Sequence, residues 1–540
     1  MLKSLIVAAP AGSGKTEELS RRYIELLRLG VAPERILTLT FTEKAAAEMK
    51  ERILKRLCQS DPDLYVRVRE NILRLRISTI HAFCLGLLRR FAPHVGLDPA
   101  LEGLEESGAK ALWSRALHDT LIRIASEPRT SADYRDLMAL VTRGKSLGWE
   151  DLTGQFSKLY EKRVAVEHAV LAPAALERLR VLRAQLAAHP IGREKLPGCY
   201  AELFPDELSP ETVARTLERL DEHRLVFLNP GGGPIRRCGR RKDIREWNEL
   251  MAEYRNVLLT LTDYEEFGRM LDLFRRRFLA AYEEYKRQAG AVDFVDMEHR
   301  ALKVIAEDEQ WQSILYAFDE QTDHLLVDEF QDTSYLQWAI ILKLTEEWRA
   351  GRGAKAELGI EPTIFIVGDV KQSIYLFRDA KVEVFAEARR RLHEDLGDRV
   401  ADKHIKCNYR SLQAIIDFTN TFFSRLMSQT GPTNPAWRTV YEPFERGRRN
   451  DAAGQVEILL DRSDENLPER RKLEAELICR RILSITGSLT IFDRQPDGSE
   501  TPRACEYGDI AILIRARTHL TTLTDVLHRH SIPFVTVGGE

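Results

Sequence analysis

The stretch AAPAGSGKT at Ala8–Thr16 follows directly on the apolar run LIVA at Leu5–Ala8. Ala9-Pro10-Ala11-Gly12-Ser13-Gly14-Lys15-Thr16 keeps the spacing of a phosphate-binding loop, with Ala9 where the first glycine usually stands. Glycines there let backbone N–H groups close around phosphates, Lys15 neutralises charge on the β- and γ-phosphates, and Thr16 offers a hydroxyl to Mg²⁺. Such a loop has to join a buried strand to a helix. Leu2–Ala8 reads as that strand, and Lys15–Leu29 as the helix, with Leu19, Tyr23, Leu26 and Leu27 at helical spacing and Gly30 as a stop. A second apolar run, Arg35–Leu39, completes a βαβ unit, so the sheet is expected to be parallel.

Two later runs, HLLVDE at His324–Glu329 and TIFIVGD at Thr363–Asp369, read as buried strands ending in carboxylates. The C-terminal strand ends of a parallel sheet form its ligand edge, so these acids are expected to face the loop. Residues between about 96 and 286 are rich in Leu, Ala, Arg and Glu and read as helices, interrupted by LNPGGGPIRRCGRRKDIREW at Leu228–Trp247. After about Val400 a second α/β pattern begins, with strands expected at Gln455–Leu460 and Asp509–Arg515 and a surface loop at Asp493–Glu506. At 540 residues the chain exceeds a single core. The expected division is an α/β domain from 1–95 and 286–400, an inserted helical domain at 96–285, and part of a second α/β domain at 401–540.

The net charge of −3 says nothing for nucleic acid by itself, but residues 1–100 carry 17 Lys+Arg against 11 Asp+Glu. That excess fits a basic surface and equally a solvated helix face. Seven scattered cysteines without a CxxC pair favour reduced thiols in a cytoplasm over a zinc or iron–sulfur site. No apolar run reaches the 18 residues that suggest a spanning helix, so no membrane partner is expected.

Leu325–Asp332 reads LLVDEFQD. A metal-bound triphosphate needs one carboxylate to hold Mg²⁺ and another to orient the attacking water, roles that suit Asp328 and Glu329 in that order. VDEFQDTS also resembles the second motif of the superfamily 1A DNA helicases, the UvrD/Rep/PcrA group. TLTFTEKAAAEMKERI (Thr38–Ile53) looks like the family's motif Ia and ISTIHAFCLGLLRRF (Ile77–Phe91) like Ib. IVGDVKQSIYLFRDA (Ile366–Ala380) looks like motif III, NYRS (Asn408–Ser411) like motif IV, and VDFVDM (Val292–Met297) like the segment that returns from the inserted domain.

The resemblance implies RecA-like domains, ATP with Mg²⁺ as cofactors, and DNA, single-stranded and duplex, as partner. It implies that Gln372 senses the γ-phosphate, that Arg410 contacts it, and that Tyr409 stacks on adenine. It further implies that Phe41 and Thr42 of motif Ia, and Thr79 and His81 of Ib, meet single-stranded DNA, with Phe377 as a stacking platform beside Arg378. Aromatic faces stack on any base, which suits a sequence-indifferent grip. Phe41 and Phe377 read equally as core aromatics, and His81 as a satisfied structural histidine. The Arg236–Lys242 cluster reads as a duplex contact or a solvated loop.

The wording of the loop, the long helical insert and the lack of an adenine-reading glutamine motif upstream lean toward the RecB/AddA helicase–nuclease type. That type implies a partner, a second helicase–nuclease subunit. Tyr507–Glu540 looks like the approach to a further insertion, and motifs V and VI are not found, so the chain reads as the front half of a larger protein. The expectation is a 3′→5′ DNA motor of repair or recombination whose isolated fragment hydrolyses ATP poorly. Two other readings stand beside it, a helicase–nuclease component that processes double-strand breaks and a DNA-binding scaffold with an inactive motor.

Overall fold

A computed structural model of the chain describes residues 2–92, 97–142, 149–161, 163, 173–189, 215–218, 220, 241–306, 311–351, 355, 358–374, 380–428, 439–448, 450, 452–460, 466–495 and 499–537. These form two compact units, one of residues 1–80 with 313–540 and one of residues 81–312.

The first unit is built on six parallel strands: β1 (Ser4–Ala8), β2 (Ile36–Thr40), β3 (Ile77–Thr79), β4 (His324–Val327), β5 (Thr363–Gly368) and β6 (Val400–His404). Their spatial order is β3-β2-β4-β5-β1-β6. Every residue of β2, β4 and β5 is buried, as the near-continuous apolar runs of a sheet covered on both faces require. β6 is the edge strand beside β1, so this sheet extends through His404. Helix α1 (Lys15–Arg28) and helix α2 (Glu43–Ser60) pack against it through Leu19, Tyr23, Leu26, Met49, Ile53 and Leu57. Leu19 and Leu57 are fully buried, each contributing about 1.5–3 kcal/mol by leaving water.

Strand order explains the site. β4, β5 and β1 are neighbours, so VDE, GDVKQ and the glycine-rich loop all leave the sheet at one edge. The ladder even continues past β4, because Asp328 N–H donates to the Leu39 carbonyl at 2.9 Å.

The described residues of the 81–312 unit are mainly helical. Its helices Glu106–Ala125, Ala132–Thr142 and Trp149–Glu161 share an apolar core with the helix from Arg241, which passes through a π turn at Phe274–Leu279 into Ala280–Gln288. Phe156 stacks on Phe278 at 4.3 Å, and Trp113 on Tyr160 at 4.6 Å. In the VDFVDM segment, Asp293 accepts from Asp296 N–H at 3.0 Å and from Tyr282 hydroxyl at 2.8 Å, and pairs with Arg163 at 2.7 Å. Within the Arg236–Lys242 cluster, residues 236–240 lie outside the described residues, and nothing is described of the side chains of Arg241 and Lys242.

Two expectations are corrected. Gln455–Leu460 and Asp509–Arg515 form no strand: an extended run becomes one only by pairing, and neither finds a ladder partner among the described residues. Ile458 and Leu513 are accordingly 71% and 95% exposed. Conversely, the stretch read as a surface loop at Asp493–Glu506 is largely a β-hairpin, Thr490–Arg494 pairing antiparallel with Glu500–Ala504. Its Asp, Gly and Pro residues hid the pairing.

Candidate nucleotide site

The loop after β1 is closed by Ser13, whose N–H and hydroxyl both donate to the Pro10 carbonyl, at 3.1 and 2.6 Å. Gly14 then caps α1 in the left-handed conformation without a side-chain cap, leaving the helix's first N–H groups directed at the cleft. Pro10, Ala11, Gly12, Ser13, Gly14, Lys15 and Thr16 all line that cleft, which encloses ≈ 1480 Å³, while Ala9 is buried in the sheet behind it. Nine lysines and arginines line it against six glutamates, an excess of positive charge that suits a polyphosphate.

Lys15, first residue of α1, reaches across this edge. Its Nζ lies 2.6 Å from Glu329 Oε2 and 3.1 Å from Gln372 Oε1. Glu329 is held in the left-handed region at φ 47°, a conformation that costs a non-glycine residue of order 1–3 kcal/mol. Its N–H donates to Asp328 Oδ1 at 2.9 Å. Burial and the neighbouring Glu329 charge push Asp328 up to about 6, and the same two causes push Asp332 up to about 6. A divalent cation would relieve this crowding of acids. Carboxylate and hydroxyl oxygens such as those of Asp328 and Thr16 are the hard donors such a cation prefers. Asp328 itself does not line the cleft but lies beneath it, 5% exposed.

Two amides that carried no sequence expectation, Gln331 and Asn408, help lock these parts together. Gln331 donates to Glu329 Oε2 at 2.7 Å and accepts from Asp369 N–H at 2.9 Å, tying the end of β4 to the end of β5. Gly368 permits this, since a Cβ there would meet Gln331 Oε1 at 2.6 Å. Asp369 in turn accepts from Gln372 Nε2 at 2.7 Å and orients its amide toward Lys15. Asn408 is buried and donates to the Ala11 carbonyl at 3.2 Å, while its Oδ1 accepts from the N–H groups of Arg410 and Ser411, both at 2.9 Å. Tyr409 N–H donates to the Gly12 carbonyl at 2.8 Å. Tyr409 and Arg410 are exposed and line the cleft. Gln331 and Asn408 stood inside quoted motifs, but nothing in their spacing distinguishes a linking amide from a surface one.

The residues assigned to DNA fall differently. Phe41 is half-buried, and Thr42 is exposed and caps α2 by accepting from Ala45 N–H at 3.1 Å. Thr79 is buried, with its hydroxyl donating to Glu43 at 3.0 Å. In the helical unit, His81 is half-buried, 2.8 Å from Glu298 and 4.4 Å from the Phe294 ring centre. Phe377 and Arg378 lie outside the described residues.

A parallel sheet that presents a glycine-rich loop, a lysine and paired strand-end carboxylates at one edge defines a P-loop nucleotide-binding protein. The chain belongs to the UvrD/REP helicase family, whose N-terminal domain matches residues 1–393. It is 28% identical to an ATP-dependent helicase/nuclease subunit of Geobacillus kaustophilus, over 98% of this chain and 47% of that protein. It is 27% identical to the protein of the same name from Exiguobacterium sibiricum, over 99% of this chain and 48% of that one. The corresponding Pelotomaculum thermopropionicum protein is 28% identical, over 98% and 49%. The chain thus spans about half the length of these relatives. Among the described residues, no helix is long and apolar enough to cross a membrane.

Proposed function

We propose that this chain is the ATP-binding motor portion of a DNA translocase that separates duplex DNA during repair or recombination. The observation that carries the reading is the meeting of four separate motifs at one cleft. Lys15 joins Glu329 and Gln372, and Asn408, Tyr409 and Arg410 are docked on the same loop.

In this reading Lys15 and the loop N–H groups bind the β- and γ-phosphates, and Thr16 and Asp328 hold Mg²⁺. The metal, when bound, neutralises phosphate charge. Glu329 orients the attacking water, Gln372 and Arg410 contact the γ-phosphate, and Tyr409 stacks on adenine. Phe41, Thr42, Thr79 and His81, with Phe377 and Arg378, grip single-stranded DNA. Because the γ-phosphate has partners on both sides of the cleft, its presence favours closure and its loss favours opening. The domains in this reading are a RecA-like domain at 1–95 and 286–400 whose sheet runs on through His404, a helical insert at 96–285, and part of a second RecA-like domain in the residues after His404. The compartment is the cytoplasm, and the polarity 3′→5′.

Binding of a labelled oligonucleotide with and without MgATP tests this. The two ligands are linked, so each changes the other's affinity by the same factor. Lys15→Ala abolishes that linkage. Independent binding of nucleotide and DNA would refute the motor.

The names of the relatives favour one elaboration, in which the whole protein is the motor subunit of a helicase–nuclease that processes double-strand breaks with a second protein. Degradation of linear duplex by the two proteins together, and not by either alone, tests it. Unchanged activity of a Lys15→Ala full-length protein would instead point to a scaffold.

A further inference from the structure

The hairpin Thr490–Ala504 lies far in sequence from every motif of the nucleotide site, yet Phe492 and Gln495 line the cleft. One guanidinium makes three of the bonds that tie it there. Arg448 donates from Nε to Glu500 Oε1 at 2.6 Å, from Nη2 to the Phe492 carbonyl at 3.1 Å, and from Nη1 to the Arg410 carbonyl at 3.0 Å. Glu500 is steadied in turn by Asn450 Nδ2 at 2.7 Å. Arg448 and Glu500 are 15% and 13% exposed as side chains, so this ion pair is largely desolvated, while both Nη groups serve main-chain carbonyls.

The Arg410 peptide is therefore held at both ends. Its N–H is fixed by Asn408, which also grips the loop, and its carbonyl by Arg448, which also grips the hairpin. The Arg410 side chain is exposed, and the anchored backbone fixes the point and direction from which it leaves the chain. A forked guanidinium can bridge three acceptors from three segments; a lysine ammonium on a flexible stem cannot hold that plane.

We propose that Arg448 is a positioning residue that aims Arg410 at the γ-phosphate, and that the hairpin, through Glu500, is part of the nucleotide machinery. This rests on the reading of Arg410 as a γ-phosphate contact. Glu500 does not line the cleft, whereas Arg448 does, and that difference separates positioning from direct binding.

The test compares the affinities of the chain for MgATP and MgADP, since a γ-phosphate contact acts on their ratio. Arg410→Ala is expected to weaken MgATP about tenfold, the loss of one charge-assisted hydrogen bond, and to leave MgADP unchanged. Arg448→Ala and Glu500→Gln are expected to lower the same ratio roughly threefold or more, and to add nothing in an Arg410→Ala background, because coupled residues are non-additive. Arg448→Lys is not expected to rescue. Glu500→Gln conserves volume, and its melting temperature serves as the folding control. If Arg410→Ala lowers the ratio but Glu500→Gln leaves it intact, the positioning role is refuted while the γ-phosphate contact stands. If Arg448→Ala weakens both nucleotides equally and Glu500→Gln does not, Arg448 is a direct ligand and the proposal fails. If Arg410→Ala leaves the ratio unchanged, the underlying reading of Arg410 is what fails.

Discussion

Lys15 Nζ lies 2.6 Å from Glu329 Oε2, a pairing of the first residue of α1 with the second residue past β4. Lys15 is 9% exposed and Glu329 34%, so the pair is partly screened by water. A γ-phosphate would compete with Glu329 for this ammonium.

Glu329→Gln removes the competing charge and the water-orienting carboxylate together. Ion pairs open to water are worth about 0.2–1 kcal/mol, and this one, with Lys15 buried, lies at the upper end, so MgATP affinity is expected to rise about fivefold. Single-turnover hydrolysis is expected to fall by about 10²–10⁴, the usual contribution of a positioned base. Equilibrium binding and quench-flow measure the two effects, and their opposite signs are the diagnostic.

Gly12→Ala targets the contact between the loop and Asn408–Arg410. Gly12 has φ +74°, and a Cβ there would stand 2.9 Å from Arg410 Cβ and 3.0 Å from Asn408 Oδ1. Backbone strain alone costs about 1–3 kcal/mol, and the clash forces the segment off the loop. A lowered urea midpoint and weakened MgATP binding are both expected.

Asn408→Ala leaves the Arg410 and Ser411 N–H groups and the Ala11 carbonyl without their side-chain partner. The residue is 5% exposed, so the cost is expected at about 1–3 kcal/mol in chemical denaturation. MgATP affinity should fall more than MgADP affinity, because Arg410 is released.

His324 carries the pH prediction. It is buried, with Nδ1 2.8 Å from Thr363 Oγ1, and desolvation lowers it from 6.5 to about 4 despite Asp323 nearby. The unfolded chain therefore binds more protons between pH 4 and 6.5, and this group's stability rises with pH through that window. It is complete above 6.5 and lost below 4, on the order of 3 kcal/mol in all. Asp328 and Asp332, raised to about 6, act with opposite sign in the same range. The difference between the wild type and His324→Asn isolates the histidine; urea midpoints from pH 4 to 7 should converge as pH falls.

Much of the first sheet was legible because buried parallel strands are written as continuous apolar runs, and a loop that binds phosphate has to sit between one of them and a helix. Lys15 and Glu329 could be named because few residue types do their chemistry, and Gln372 because the family resemblance implies it. The linking groups were not legible. Gln331, Asn408 and Arg448 act through partners 38 or more residues away or through main-chain carbonyls, and no local pattern announces such bonds. The hairpin was misread as a loop and two strands were expected where none paired, because pairing is a property of two segments.

Local composition and spacing alone determined that a phosphate-binding type of loop stands at the edge of a parallel sheet, since apolar runs, glycines and a lysine act within a few residues of one another. The tertiary structure decided which strands are neighbours, and hence that β4, β5 and β1 deliver their ends to one place. It also decided that Arg410 is clamped between the loop and a hairpin about 80 to 90 residues further on, because hydrogen bonds to backbone carbonyls depend on position in space and leave no residue signature at the accepting end.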